Sequence, residues 1–178
     1  MSGHSKWATI HRQKGINDVK KGAIFTKLGR AITLAVRQGR GLQLALDKAK
    51  QYNMPKENVQ RAIDKGSGTT EGDQLHEATF EGFLPGGVAV LVQTLTDNKL
   101  RTAQDVRMVL EKNGGKLAGT GAVSYMFDKI YDSESSELVM KPLMVITVAD
   151  SEIKSKIKNI LEKLEDLDDT QKVWTNYA

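Results

Sequence analysis

The residues best suited to chemistry in this 178-residue chain crowd its amino-terminal end. Gly3-His4-Ser5-Lys6-Trp7 is followed by His11, Arg12, Lys14, Lys20, Lys21, Lys27, Arg30, Arg37 and Arg40. The first forty residues hold nine lysines and arginines against one acid, Asp18. A one-signed field of that density opposes compaction. A polyphosphate partner relieves it, because each neutralised phosphate releases condensed counterions. Trp7 among the cations adds a ring on which a base can stack. Residues 1–65 carry fourteen bases and four acids, a net of +10, while the remainder nets −6, an asymmetry hidden in the overall +4. Halves of opposite sign predict a binding end and a scaffold or protein-contact end.

Other constellations point away from catalysis. With no cysteine, the chain has no disulfide, zinc–thiolate site or thiol nucleophile. His4 and His11 are seven apart, lack further ligands and stand among cations that repel a metal, so no metal site is expected. His76 reads as a lone surface residue at a strand start. Gly114-Gly115-Lys116, with Gly119 and Gly121, lacks the spacing of a phosphate-cradling loop and follows a helix, so it reads as a helix stop and tight loop. Asp97-Asn98 before Arg101-Thr102 reads as a turn whose side-chain oxygen caps a helix. Glu165, Asp166, Asp168 and Asp169 read as a solvated helix end, with weak cation binding as the alternative. No nucleophile has a nearby base. A non-catalytic protein without cofactor is expected. No apolar run approaches the length of a membrane span and no signal-peptide core is present, so a soluble, cytoplasmic protein is expected.

The elements that position these residues follow from periodicity. Residues 1–20 read as a basic flexible tail. From Lys21 to about Gln38, Ile24, Leu28, Ile32 and Ala35 form a helical stripe, with Lys27, Arg30 and Arg37 mostly off it, towards water or a ligand. Leu42 to Tyr52 and a segment opening at Met54-Pro55 and stopping at Gly66 complete a three-helix bundle over 21–66. A linker spans 67–74. Beyond it an α/β domain over 75–178 has strands predicted at Thr79–Phe83, Val88–Leu95, Ala122–Phe127, Leu138–Val148 and Val173–Tyr177. Helices are predicted at Thr102–Asn113 and from a Ser151 cap to about Leu167. From Val88 the order is β-α-β-β-α-β, a ferredoxin-like sandwich with an extra strand at 79–83. The fold class is α+β. The sheet face away from its two helices needs cover from the bundle, a second copy or a ligand.

Several motifs occur together in order: Gly3-His4-Ser5-Lys6-Trp7, Phe25-Thr26-Lys27-Leu28, Asn53-Met54-Pro55-Lys56-Glu57-Asn58, Pro85-Gly86-Gly87-Val88, Thr96-Asp97-Asn98 with Arg101-Thr102, Lys112-Asn113-Gly114-Gly115 and Val173-Trp174-Thr175-Asn176-Tyr177. They resemble the YebC family, which includes the bacterial YebC/PmpR proteins and the mitochondrial translational activator of cytochrome c oxidase. The resemblance implies an N-terminal helical domain and two α/β domains, one inserted into the other. It also implies a regulator that binds DNA, or a factor acting on ribosomes stalled in elongation. This sequence departs from that pattern. The inserted domain would leave and return near 128–136, where only a short connection stands, and a loop is shortened after Gly39-Arg40-Gly41.

Three functions follow as expectations. The first is a DNA-binding transcriptional regulator, with His4, Lys6, Trp7, His11, Arg12, Lys14, Lys20, Lys21, Lys27, Arg30, Arg37 and Arg40 as nucleic-acid contacts and a homodimer as a candidate state. The second places the same residues on ribosomal RNA, which is read largely by shape and exposed bases. The third is a small-molecule enzyme using the glycine-rich loop at 114–121. No recognition-helix pair or zinc module is present, which predicts weak sequence readout.

Overall fold

The computed structural model describes residues 18–68, 75–132 and 137–178. Helix α1 (Asp18–Gln38), α2 (Leu42–Gln51) and α3 (Lys56–Ser67) form the bundle. Ile24, Leu28, Ile32 and Ala35 of α1 are buried against Ala45 and Ala49 of α2 and Ala62 of α3. Burying Leu28 and Ile32, both essentially inaccessible, contributes on the order of 2 kcal/mol each. Small residues on the facing helices let the backbones approach, and the Thr33 hydroxyl donates to the Ala62 carbonyl at 3.0 Å. Two expected boundaries move. Helix α1 begins at Asp18, inside the segment read as tail. Helix α3 runs through Gly66, which is buried at the crossing with α1, and stops at Gly68, whose φ of 77° suits glycine.

The α/β part is a four-stranded antiparallel sheet in the order β3-β1-β2-β6, built from β1 (His76–Leu84), β2 (Val88–Thr96), β3 (Lys116–Ala118) and β6 (Thr170–Thr175). Helices α4 (Lys99–Lys112) and α5 (Ser151–Asp166) cover one face. Val88, Val90 and Val92 of β2 pack there on Val106, Leu110, Ile157, Ile160 and Leu164. Ala89 and Leu91 point to the opposite face and meet Trp174, Val123 and Phe127. Burial on both faces explains the unbroken apolar run Val88–Val92 of β2.

The α+β class and the two-helix layer stand, but the expected strand membership does not. The strand read as extra, β1, is central. The segment 122–127 is mostly a loop ending in a 3₁₀ turn at Ser124–Met126. Strands β4 (Phe127–Asp132) and β5 (Glu137–Pro142) pair only with each other, as a separate hairpin. The rest of the strand expected to reach Val148 survives as a single bridge, Ile146 to Tyr177. Helix α5 is capped by Asp150, whose carboxylate accepts from the N–H groups of Glu152 and Ile153, in place of Ser151. The hairpin and the loop before it cover the second sheet face, the role left open to the bundle, a second copy or a ligand.

Glu81 causes much of this departure. Its buried carboxylate, on β1, accepts hydrogen bonds from the N–H groups of Gly121 and Val123 at 2.7 Å and Ser124 at 2.9 Å. Those donors are therefore taken from any ladder. Burial pushes the Glu81 pKa up, but the three backbone donors outweigh it and hold the carboxyl below its ordinary value.

A Cβ at Gly66 would stand 2.6 Å from the Val36 Cβ and 2.8 Å from the Thr33 carbonyl oxygen. Gly66→Ala is expected to lower stability by about 2 kcal/mol in urea denaturation, although alanine is intrinsically the better helix former by about 1 kcal/mol. A variant as stable as the parent would contradict the close crossing of α1 and α3.

Candidate nucleic-acid interface

The cations expected to contact nucleic acid separate into three groups. His4, Lys6, Trp7, His11, Arg12 and Lys14 lie outside the described residues. Lys20 is in the first turn of α1, while Lys21, Arg37 and Arg40 are exposed. Lys27 and Arg30 face inward, and this corrects their expected orientation towards water or a ligand. Three residues apart on one face of α1, they reach the end of the sheet where β2 finishes and β6 begins.

Lys27 is buried and donates to the Glu165 carbonyl at the end of α5. Arg30 pairs with the Asp169 carboxylate through Oδ1 and donates to the Leu95 carbonyl at 3.3 Å. The other Asp169 oxygen accepts from the hydroxyls of Thr102 at 2.5 Å and Thr96 at 2.9 Å, and from the Arg101 guanidinium at 3.1 Å. Arg101 also binds Asp97 at 2.6 Å, and the Asn98 side chain caps α4 by accepting from the Arg101 N–H. The acidic run read as a solvated helix end is thus, at Asp169, a buried acceptor that receives the bundle. Burial raises the Asp169 pKa. Hydrogen bonds from Thr102, Arg101 and Thr96, and the charge of Arg30, overcome that cost and hold it below the ordinary value. The hydrogen bond from Arg101 likewise lowers Asp97.

Nothing local marks Asp169 among four nearby acids. The available signal was the pairing of Lys27 and Arg30 at helical spacing with an acidic segment of complementary charge. Other readings hold in part: Asn98 caps α4, Gly114 at φ 84° follows its end and His76 is exposed at the start of β1, but Lys116–Ala118, read as part of a tight loop, is strand β3 paired with β1. Among the described residues, no group of three or more His, Cys, Asp or Glu could hold a metal, and no helix is long and apolar enough to cross a membrane.

Other cations of α2 and α3 reach the surface. Lys50, Lys56 and Arg61 are exposed and Lys65 is half-exposed. Between α1 and α3 runs an open groove of about 500 Å³, lined by Phe25 and Gly29 on one side, Asn58, Arg61 and Lys65 on the other, with Asp97 at one end.

Comparison with known proteins places this architecture. The family model described as the TACO1/YebC protein N-terminal domain matches residues 5–69. The model for the TACO1/YebC second and third domain matches 75–131 and 129–177. The chain belongs to the TACO1/YebC family. A relative from Rubrobacter xylanophilus, named "probable transcriptional regulatory protein", is 53% identical over 137 residues, covering 72% of this chain and 55% of the relative. One from Thermotoga petrophila with the same name is 38% identical over 237 residues, covering 99% of this chain and 94% of the relative. In the Rubrobacter match the chain spans about half the relative's length. The Thermotoga alignment is longer than the chain itself, so it passes over a stretch that this sequence lacks. A crystal structure of a conserved hypothetical protein from Aquifex aeolicus superposes with a TM-score of 0.85 at 32% identity, over 98% of this chain and 97% of that one.

Asp169→Asn is expected to cost about 3 kcal/mol, because it removes one member of a buried ion pair. Asp169 has a lower pKa folded than unfolded. Its contribution is therefore complete above the ordinary carboxylate range, near pH 4, and is lost as pH falls through the lower folded value. The acid limb of a stability–pH profile should flatten in the Asn variant. An unchanged limb would mean that the pair does not join the two parts.

Proposed function

We propose that the chain is a non-catalytic, nucleic-acid-binding regulator of gene expression, cytoplasmic, with DNA phosphates as its first ligand. The reading rests on one observation above the rest: the net positive charge is concentrated in the amino-terminal segment and bundle, while the sandwich that carries them is acidic. Lys6, Arg12 and Lys14, with Trp7 and the two nearby histidines, supply one contact region. Arg37, Arg40 and the outward cations of α2 and α3 supply another. Lys27 and Arg30 are assigned instead to holding the bundle. Contacts of this kind position a protein on a phosphate backbone without reading bases. The names of the relatives support a regulatory role.

Ribosomal RNA is the second reading. A basic segment carrying an aromatic ring suits exposed bases and irregular shape as well as it suits a duplex. Crosslinking in cells followed by sequencing of the bound nucleic acid separates the two: promoter DNA favours the first, ribosomal RNA the second.

Lys6→Ala, Arg12→Ala and Lys14→Ala together are expected to weaken binding to all sequences alike. They should also reduce the slope of log affinity against log salt by roughly 2–3, with thermal stability unchanged. An unaltered slope would remove the tail from the interface.

A further inference from the structure

The groove between α1 and α3 borders the ion-pair junction through Arg30 and Asp97, but Phe25, Gly29, Asn58, Arg61 and Lys65 in its lining take no part in that junction. We propose that it seats a short single-stranded segment of polynucleotide, with phosphates on Arg61 and Lys65 and a base against Phe25. This rests on the nucleic-acid reading above and gives it a site.

The two helices touch, since Thr33 donates to the Ala62 carbonyl at 3.0 Å. A groove of about 500 Å³ lies in the size range of a site for one small organic group, which suits a short stretch of one strand and not a duplex. Gly29 adds to the depth by presenting no side chain beside Phe25. The cations on the α3 wall are only weakly committed: Arg61 meets Glu57 at 3.8 Å, with both side chains largely exposed. Arg30 at the floor is already neutralised by Asp169. Asp97 makes one end unfavourable for phosphate, so the backbone runs along the α3 side. Asn58 offers donor and acceptor to a base edge, and Phe25 supplies the stacking face that sequence-tolerant strand binding uses. The amino-terminal segment is itself rich in Lys and Arg, so its charge matches this groove poorly as an occupant.

The test is fluorescence anisotropy with the full chain, using labelled twelve-nucleotide oligo-U, oligo-dT and a DNA duplex. Arg61→Gln/Lys65→Gln is expected to weaken single-strand binding about tenfold and to flatten the salt slope by about 1.4, roughly 0.7 per phosphate contact. Lys65→Gln alone should give a smaller change in the same direction. A control, Lys154→Gln/Lys158→Gln on α5, should bind like the parent. Ultraviolet crosslinks should map to the α1 segment holding Phe25. Either oligomer responding supports the groove, and the stronger response names the preferred sugar. Parent-like affinity in the double variant, binding of the duplex only, or crosslinks confined to residues 1–17 would overturn the proposal and leave the groove to the chain's own tail or a protein partner. Loss of binding in the Lys6/Arg12/Lys14 variant but not in the groove variant would spare the nucleic-acid reading. No binding of any probe at low salt would end both.

Discussion

The pairing of Arg30 with Asp169 is the constraint on which the arrangement of the molecule depends. A buried carboxylate is costly to desolvate, and one guanidinium rarely repays the cost. Here the second carboxylate oxygen is also satisfied, by two threonine hydroxyls and Arg101. These donors come from the end of β2 and the first turn of α4, so one side chain ties together α1, β2, α4 and the turn into β6. Lys27, one turn away on α1, adds a hydrogen bond to the end of α5. The helical bundle is therefore joined to the sandwich largely by polar contacts, while each part keeps its own apolar core.

That use of Lys27 and Arg30 changes how the basic end must be understood. A count of charge treats every cation alike, yet these two hold the bundle, while Lys21, Arg37, Arg40, Lys50, Lys56 and Arg61 are exposed. Phe25 and Gly29, on the same helix, line the open groove against α3. Asp97, in the turn between β2 and α4 and held by Arg101, also lines the groove. The junction and the proposed binding surface thus share a boundary.

The helices were legible in the sequence because their signals are local. The stripe Ile24-Leu28-Ile32-Ala35 reports α1 directly, and Asn98 and Gly114 mark the limits of α4. What failed was non-local. Glu81 takes the amides of Gly121, Val123 and Ser124, forty residues away, and turns an expected strand into a loop. The apolar alternation of 138–142 belongs to a hairpin packed across the sheet, and 143–148 adds only the Ile146 bridge to Tyr177. Asp169 resembles its acidic neighbours until the fold brings Arg30 to it. The groove could not be read from sequence, since it is a space between two helices whose crossing depends on Gly66. The family match breaks at residues 129–131, inside the hairpin that covers the sheet's second face. Tyr131, Leu143 and Met144, on and beside that hairpin, are exposed apolar residues.

The central claim is that the basic bundle and the segment before it, and not the acidic sandwich, meet nucleic acid. Hydrogen–deuterium exchange of the full chain with and without a bound oligonucleotide tests this directly. Slowed exchange in the first seventeen residues and along α1 and α3, with α4, α5 and the β4–β5 hairpin unaffected, is the result expected. Protection centred on the hairpin or on α5, with the bundle exchanging as in the free protein, would contradict the account.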